Sequence, residues 1–164
     1  MQQKIYGDEH PEVAATLSWI GSTYEAQGDL VRALEYQERC LAMEQKIHGD
    51  EHPEVATTLS VIGKIQKLRG ELDEALRLRQ AARDIRIRIY GDAHGRVALS
   101  HLRLAELHAE REEPAPERAS YEACIAARTE DRASDDVNRA RVGYAACLLR
   151  QGDPALAAEQ ARLA

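Results

Sequence analysis

The sequence contains no phenylalanine, and its aromatic residues make up only 4% of the chain. Hydrophobic residues nonetheless reach 44%, so a packed core must be built mostly from alanine, leucine, isoleucine and valine. Only five prolines and ten glycines interrupt the 164 residues. A chain rich in alanine, leucine, glutamate and arginine, with so few helix-breaking residues, favours helix throughout.

Cysteines, long apolar runs and excess positive charge are also scarce. Cys40, Cys124 and Cys147 are widely spaced without a C-x-x-C pair, which predicts buried or incidental thiols in a reducing compartment. No apolar run approaches the roughly 20 residues that span a bilayer, and the opening MQQKIYGDEHP lacks the apolar core of a signal peptide. The net charge of −6 argues against a general nucleic-acid binder. We therefore expect a cytoplasmic protein with neither a membrane nor a nucleic-acid partner.

Motifs that carry catalytic chemistry are missing as well. The sequence has no P-loop, G-x-G-x-x-G, H-E-x-x-H or G-x-S-x-G pattern. His101 and His108 lie seven residues apart on one helix face, but no spaced Cys or Glu-x-x-His companion completes a zinc site. These absences predict a protein that is not an enzyme and that uses no cofactor and no metal.

What the sequence does contain is a repeat. The heptapeptide GDEHPEV occurs at Gly7–Val13 and again at Gly49–Val55, and a degraded copy, GDAHGRV, follows at Gly91–Val97. The three copies are evenly spaced, at 42 residues, and a fixed period of this size is typical of stacked repeats that share a continuous core. Within the first period two helical stretches, Glu12–Gln27 and Leu30–Ile47, are separated by a Gly-Asp break. The sequence therefore predicts an array of helix pairs.

The residues at fixed offsets within each period resemble the tetratricopeptide repeat. In the first unit they are Leu17, Ile20-Gly21, Tyr24, Gly28, Ala33 and Cys40-Leu41, and in the second Leu59, Ile62-Gly63, Gly70, Ala75 and Ala82. HEAT repeats have similar periods but lack the small-residue pairs Gly21/Ala33 and Gly63/Ala75. The longer unit with its Gly-Asp-x-His-Pro linker is similar to kinesin light chain and its bacterial relatives.

This resemblance implies an all-α, right-handed α-solenoid of antiparallel helix pairs with about three and a half to four repeats. We expect a single array over residues 1–164, with repeats at approximately 7–48, 49–90, 91–130 and 131–164. The later units depart from the pattern, since His101 and Arg141 replace leucine and Glu117 replaces a small alanine. The repeat pattern is incomplete at both ends of the sequence. Residues 2–6 match the end of a second helix, and residues 156–164 stop inside one. We therefore expect a piece of a longer protein, with end faces free to stack.

Two sets of conspicuous residues have structural interpretations. His10, His52 and His94 recur once per repeat, too far apart for shared metal coordination, so we expect each to cap or pack the start of its helix. Cys40 and Cys124 occupy the small-residue position of their units and are expected to pack like alanine.

The resemblance also implies where a partner would bind. First helices of tetratricopeptide units line a concave groove, and the offsets place a set of polar and apolar side chains there: Ser18, Ser22, Glu25, Ser60, Lys64, Lys67, Leu102 and Glu106. Trp19 lies beside this row, either as an anchor for a partner or packed against a preceding unit. Kinesin light chains bind the backbone of cargo peptides through asparagine pairs. These pairs are absent here, so we do not expect the cargo specificity of kinesin light chains in this sequence. We expect a non-catalytic scaffold that binds a protein or peptide segment in this groove.

Other readings remain open. The arginines at positions 77, 79, 83, 86 and 88 crowd one second helix and form either a convex site for an acidic partner or a salt-bridged, solvated face. The chain could instead be the sensor region of a larger signalling protein, such as a bacterial kinase or transcription regulator. A third alternative is a self-assembly module that forms homo-oligomers through its end repeats.

Overall fold

The computed structural model describes residues 10–127 and 135–164, and in these ranges every regular element is an α-helix. In chain order the helices are α1 (Pro11–Ala26), α2 (Leu30–His48), α3 (Pro53–Leu68), α4 (Leu72–Tyr90), α5 (Gly95–Glu110), α6 (Pro114–Ala126), α7 (Asp135–Arg150) and α8 (Pro154–Leu163). The predicted helix end at residues 2–6 and the predicted repeat boundary at 130/131 lie outside the described residues.

A helix begins at the end of each repeated linker, as predicted. Pro11 and Pro53 occupy the first helical turn of α1 and α3, where the missing N–H costs no hydrogen bond. Each linker histidine is the N-cap of the helix that follows. The Nδ1 atoms of His10, His52 and His94 accept hydrogen bonds from the backbone N–H two residues on, at 3.2, 3.3 and 3.1 Å. The prediction that these histidines serve the repeat is confirmed.

The turns inside the helix pairs have either glycine or glutamate at the position with positive φ. Gly28 and Gly70 take positive φ values of 80° and 84°, which glycine adopts without strain. The third pair has Glu112 at this point, with φ 57°. A left-handed glutamate costs about 1 kcal/mol or more. Neighbouring contacts support the turn, because Glu113 bonds to the Nδ1 of His108 at 2.7 Å and to the Nε of Arg111 at 3.0 Å.

The chain divides into two compact units, and the first is Met1–Ile85. One core cluster forms where α1 meets α2, from Val13, Ala14, Leu17 and Cys40. A second cluster joins α3 to α4 through Val55, Ala56, Ala82 and Ile85. Gly21 of α1 lies against the buried side chain of Gln37 in α2, so the small residue lets the two helices approach closely.

The second unit is Arg86–Ala164, and its core is a single larger cluster drawn from α5, α6, α7 and α8. The Cys124 side chain is fully buried there, as Cys40 is in the first unit, so both predictions of alanine-like packing are confirmed. Glu117, which replaces the expected alanine, is also buried, and its carboxylate pairs with Arg150 of α7. The charge at a small-residue position is therefore compensated by the next helix.

Candidate functional site

In the first unit, the predicted groove residues join the first helices of two successive repeats. The Lys64 ammonium of α3 forms an ion pair with the Glu25 carboxylate of α1, and the lysine is the more exposed of the two. Glu25 and Lys64 therefore lie on one face of this unit, as the repeat offsets predicted.

The three serines predicted to face the groove differ in their surroundings. Ser60 Oγ donates to the Ala56 carbonyl at 3.0 Å. Ser18 is half-buried, and its backbone carbonyl accepts a hydrogen bond from Gln37 Nε2 at 3.1 Å. Ser22 is exposed, and Lys67 is half-buried. Trp19 is 78% exposed and is the most exposed large apolar side chain described.

In the second unit, a cavity of about 630 Å³ opens between α5, α6 and α7. Eight residues line it: Leu102, Glu106, Tyr121, Asp135, Asn138, Arg139, Val142 and Gly143. Two predicted groove residues, Leu102 and Glu106, are thus brought to one concave site. Leu102 is only 1% exposed, because it packs into the core cluster with Tyr121 and Tyr144. It supports the floor of the cavity, whereas the sequence placed it on an open surface.

The rim of the cavity carries a small ion-pair network. The Glu106 carboxylate of α5 accepts from Arg103 at 3.0 Å and from Arg139 of α7 at 2.8 Å. Arg139 also lies 4.0 Å from the carboxylate of Asp136 on its own helix. The two first helices of this unit are therefore bridged by charge, as α1 and α3 are in the first unit.

The sequence reasoning missed an exposed apolar row on α7. Val142 is 61% exposed and Leu149 is 60% exposed, and the exposed Ala146 lies between them at helical spacing. The fourth repeat arrives two residues early, so positions 142 and 146 correspond to Leu102 and Glu106 forty residues before. Shifting the groove offsets by two residues would have found this row.

Tyr121 reaches the cavity because Gly143 has no side chain. An added Cβ at Gly143 would collide with the phenol oxygen and ring carbons of Tyr121. Burial raises the pKa of Tyr121 to about 12, so its hydroxyl is neutral at physiological pH. The cavity thus has an aromatic and aliphatic interior with charged groups at its edge.

Two arginines of the arginine-rich second helix form ion pairs, and two others are buried or bonded to a neighbouring side chain. Arg77 pairs with Glu74 at 2.8 Å, and Arg83 pairs with Asp84 at 2.7 Å. Arg79 is buried. Arg86 donates to Ser100 Oγ at 2.9 Å, and burial lowers its pKa. These contacts favour the salt-bridged reading of this helix over a docking site for an acidic partner.

Other kinds of site receive no support from the described ranges. Within residues 10–127 and 135–164, no group of three or more histidine, cysteine, aspartate or glutamate side chains is arranged to hold a metal ion. In the same ranges no helix is long and apolar enough to cross a membrane. Burial raises the pKa of Cys40 to about 12 and that of Cys124 to about 11, so neither thiol is a ready nucleophile.

Comparison with known proteins gives the class first. The tetratricopeptide repeat family profile matches residues 12–78, and the helix pairs continue the same plan beyond that stretch. The tetratricopeptide repeat identification made from the sequence is therefore confirmed. No curated protein matches the chain in sequence.

Two solved structures then define the closer resemblance. BtubC (BKLC) from P. vanneervenii has a TM-score of 0.83 at 20% identity, over 91% of this chain and 60% of that one. A candidate kinesin light chain from Podosopora anserina with nearly identical TPR-like repeats has a TM-score of 0.81 at 21% identity, over 99% of this chain and 78% of that one. This chain thus spans less than two thirds of BtubC. The likenesses show the fold, an all-α solenoid of tetratricopeptide type, and confirm the predicted fold class.

Proposed function

We propose that the chain is a non-catalytic scaffold that binds a protein segment along the first helices of its repeats. The tetratricopeptide fold is in general a protein–protein interaction module. The observation that carries the finer assignment is the cavity of the second unit, because it lies between two first helices and combines an apolar interior with charged groups at its edge.

The exposed row on α7 extends this surface. Val142 lines the cavity, and Leu149 continues the same helix face two turns further on. Apolar side chains this exposed, next to a concave site, are typical of interaction surfaces. In the first unit, Glu25, Lys64 and Lys67 supply the polar contacts predicted for the groove.

The test is capture of partner proteins by the immobilised chain, compared across three variants. One variant reverses charge in the first unit, Lys64→Glu/Lys67→Glu, and a second removes the apolar row, Val142→Ser/Leu149→Ser. A matched control, Arg77→Glu/Arg88→Glu, reverses two charges on α4. We expect both groove variants to lose partners that the control retains, with helicity by circular dichroism unchanged. Undiminished capture of every partner by both groove variants would remove the groove assignment.

A second candidate, self-assembly, is favoured by the exposure of Trp19 in α1. A tryptophan this open is a large apolar surface for a second copy to cover. Sedimentation across a concentration series measures this directly. Self-assembly requires a larger species that grows with concentration and that Trp19→Ser abolishes, and a strictly monomeric chain would exclude it.

A further inference from the structure

The charges around the cavity of the second unit are unbalanced, and the imbalance indicates what kind of side chain would bind there. Among the lining residues, Glu106 and Asp135 carry carboxylates, and Arg139 carries the one guanidinium. Asp136 and Arg103, which pair with these groups at the rim, add one charge of each sign. The described site therefore has three acidic groups and two basic ones.

The two basic groups are both occupied. Arg103 and Arg139 share the Glu106 carboxylate at 3.0 and 2.8 Å. Asp135 is the first residue of α7, is exposed and lines the cavity. Within the described ranges no residue forms an ion pair with it. Among the described residues, the charge left unbalanced at the site is thus negative and is located at Asp135.

The apolar part of the cavity has the right character for the stem of a long side chain. Val142 is exposed at the wall, the Tyr121 ring lines the interior, and Leu102 closes the floor. Lysine and arginine place their methylene stems on apolar surface while the charged head stays near water.

We propose that this cavity receives a basic side chain, arginine or lysine, from the bound protein segment. This inference rests on the proposed binding function and specifies its partner. The stem lies on Val142 and Tyr121, and the cationic head pairs with Asp135. An acidic side chain is disfavoured, because it would face Asp135 and would have to displace Glu106 from Arg139 to gain a cation.

Three short probes test the sign of the recognised charge. They are the peptides acetyl-Ala-Leu-Arg-Leu-Ala-amide, the same sequence with glutamate in the centre, and the same with norleucine. Each is titrated into the ¹⁵N-labelled full chain to about 5 mM, enough to detect a Kd near 1 mM, and backbone amide shifts are followed. We expect the arginine peptide alone to shift amides of α7 near Asp135 and Val142.

Variants separate the charge from the cavity. Asp135→Asn should weaken the arginine peptide by about two- to five-fold, the usual worth of an exposed ion pair, whereas Glu159→Gln, an equal change on α8 outside the cavity, should leave it unchanged. Asp135→Lys should reverse the preference toward the glutamate peptide.

The failures of the two proposals differ. Equal shifts at the cavity with all three peptides would overturn the basic-side-chain inference while supporting binding in the groove. Stronger binding of the glutamate peptide to the unmodified chain would also overturn it, as would no shift at α7 with the arginine peptide. Failure of the groove itself is shown by undiminished partner capture by both groove variants, Lys64→Glu/Lys67→Glu and Val142→Ser/Leu149→Ser.

Discussion

The side chain that faces the small residue of a first helix differs from one helix pair to the next. Gly21 faces Gln37 and Gly63 faces Arg79, each within its own pair. The second-helix residue one period after Arg79 is Tyr121, and it meets Gly143 of the following first helix instead. A single position thus holds an amide, a guanidinium and a phenol, and the glycine opposite each one determines how closely the helices can approach.

These contacts predict different outcomes for the same substitution at two glycines. Alanine is favoured over glycine in helices by about 1 kcal/mol. At Gly143 the new methyl group would overlap the buried Tyr121 ring, so Gly143→Ala should lower the free energy of unfolding by about 1–3 kcal/mol. At Gly63 the nearest atoms, Arg79 Cγ at 3.1 Å and the Ala75 carbonyl at 3.3 Å, require only a small shift. Gly63→Ala should stay within about 1 kcal/mol of the parent.

Urea unfolding followed by circular dichroism measures both variants. Ala105 occupies the position equivalent to Gly63, so the chain itself tolerates a methyl group there. Adding Tyr121→Leu should recover part of the loss in the Gly143→Ala background, which a double-mutant cycle would show. An unchanged midpoint for Gly143→Ala alone would contradict the contact.

A second residue-scale prediction concerns pH. The Tyr144 hydroxyl donates to the Glu122 carboxylate. That bond, with a smaller contribution from Arg118, lowers the pKa of Glu122, so its stabilising contribution is lost as pH falls through the lowered value. Burial, with a smaller effect from Glu122, raises the pKa of Tyr144 to about 12. The stability that the protonated Tyr144 contributes is therefore lost as pH rises from about 10 to about 12.

Tyr144→Phe should therefore destabilise the chain by about 1 kcal/mol at neutral pH, since the bond involves a charged but half-exposed carboxylate. The difference from the parent should shrink at both acid and alkaline extremes. Unfolding curves from pH 3 to pH 12 measure it, with Tyr36→Phe as the control for loss of a phenol hydroxyl. A difference that does not vary with pH would count against the bond.

At the scale of the element, the helix starts were predictable and the groove surface was not. Pro53 and His52 mark the start of α3 through local chemistry that a sequence displays directly. The burial of Leu102 depends on Tyr121 and Tyr144, which are distant in sequence. The exposed row on α7 was missed because the period shortens by two residues before it. Repeat offsets therefore predict which side chains share a face, but not which of them a neighbouring helix covers.

The histidine cap gives an element-scale prediction. His52→Ala removes the acceptor for the Glu54 N–H and should lower the free energy of unfolding by about 1 kcal/mol. His52→Asn should keep most of the parent's stability, because asparagine is a strong N-cap. Thermal or urea unfolding at pH 7.5 distinguishes the two. Equal losses for alanine and asparagine would show that the imidazole acts by packing, since its ring also stacks on His48 at 4.1 Å.

At the scale of the whole molecule, the cores define which parts should unfold together. Cys40 belongs to a cluster of the first unit, and Cys124 and Cys147 share one cluster in the second. All three thiols are buried and free. In repeat proteins, stability is approximately a sum of repeat and neighbour terms, so units can open separately.

Pulsed alkylation in increasing urea, mapped by mass spectrometry, reports on this directly. We expect no labelling in native buffer and a common urea midpoint for Cys124 and Cys147. The urea midpoint for labelling of Cys40 can differ from theirs, because Cys40 lies in the first unit. Labelling of Cys147 well before Cys124 would contradict a single cooperative core in the second unit.

The pairing of Glu117 with Arg150 has a consequence for the exchange of repeats. Tandem copies are often regarded as interchangeable, so that new arrays arise by duplicating or shuffling single units. The helix pair that contains Glu117 cannot be moved alone, because its buried carboxylate would lose the guanidinium on α7. Tyr121 would likewise lose the glycine that makes room for it. Recombination of such arrays would therefore have to carry α6 and α7 as one inherited block, although the predicted repeat boundary falls between them.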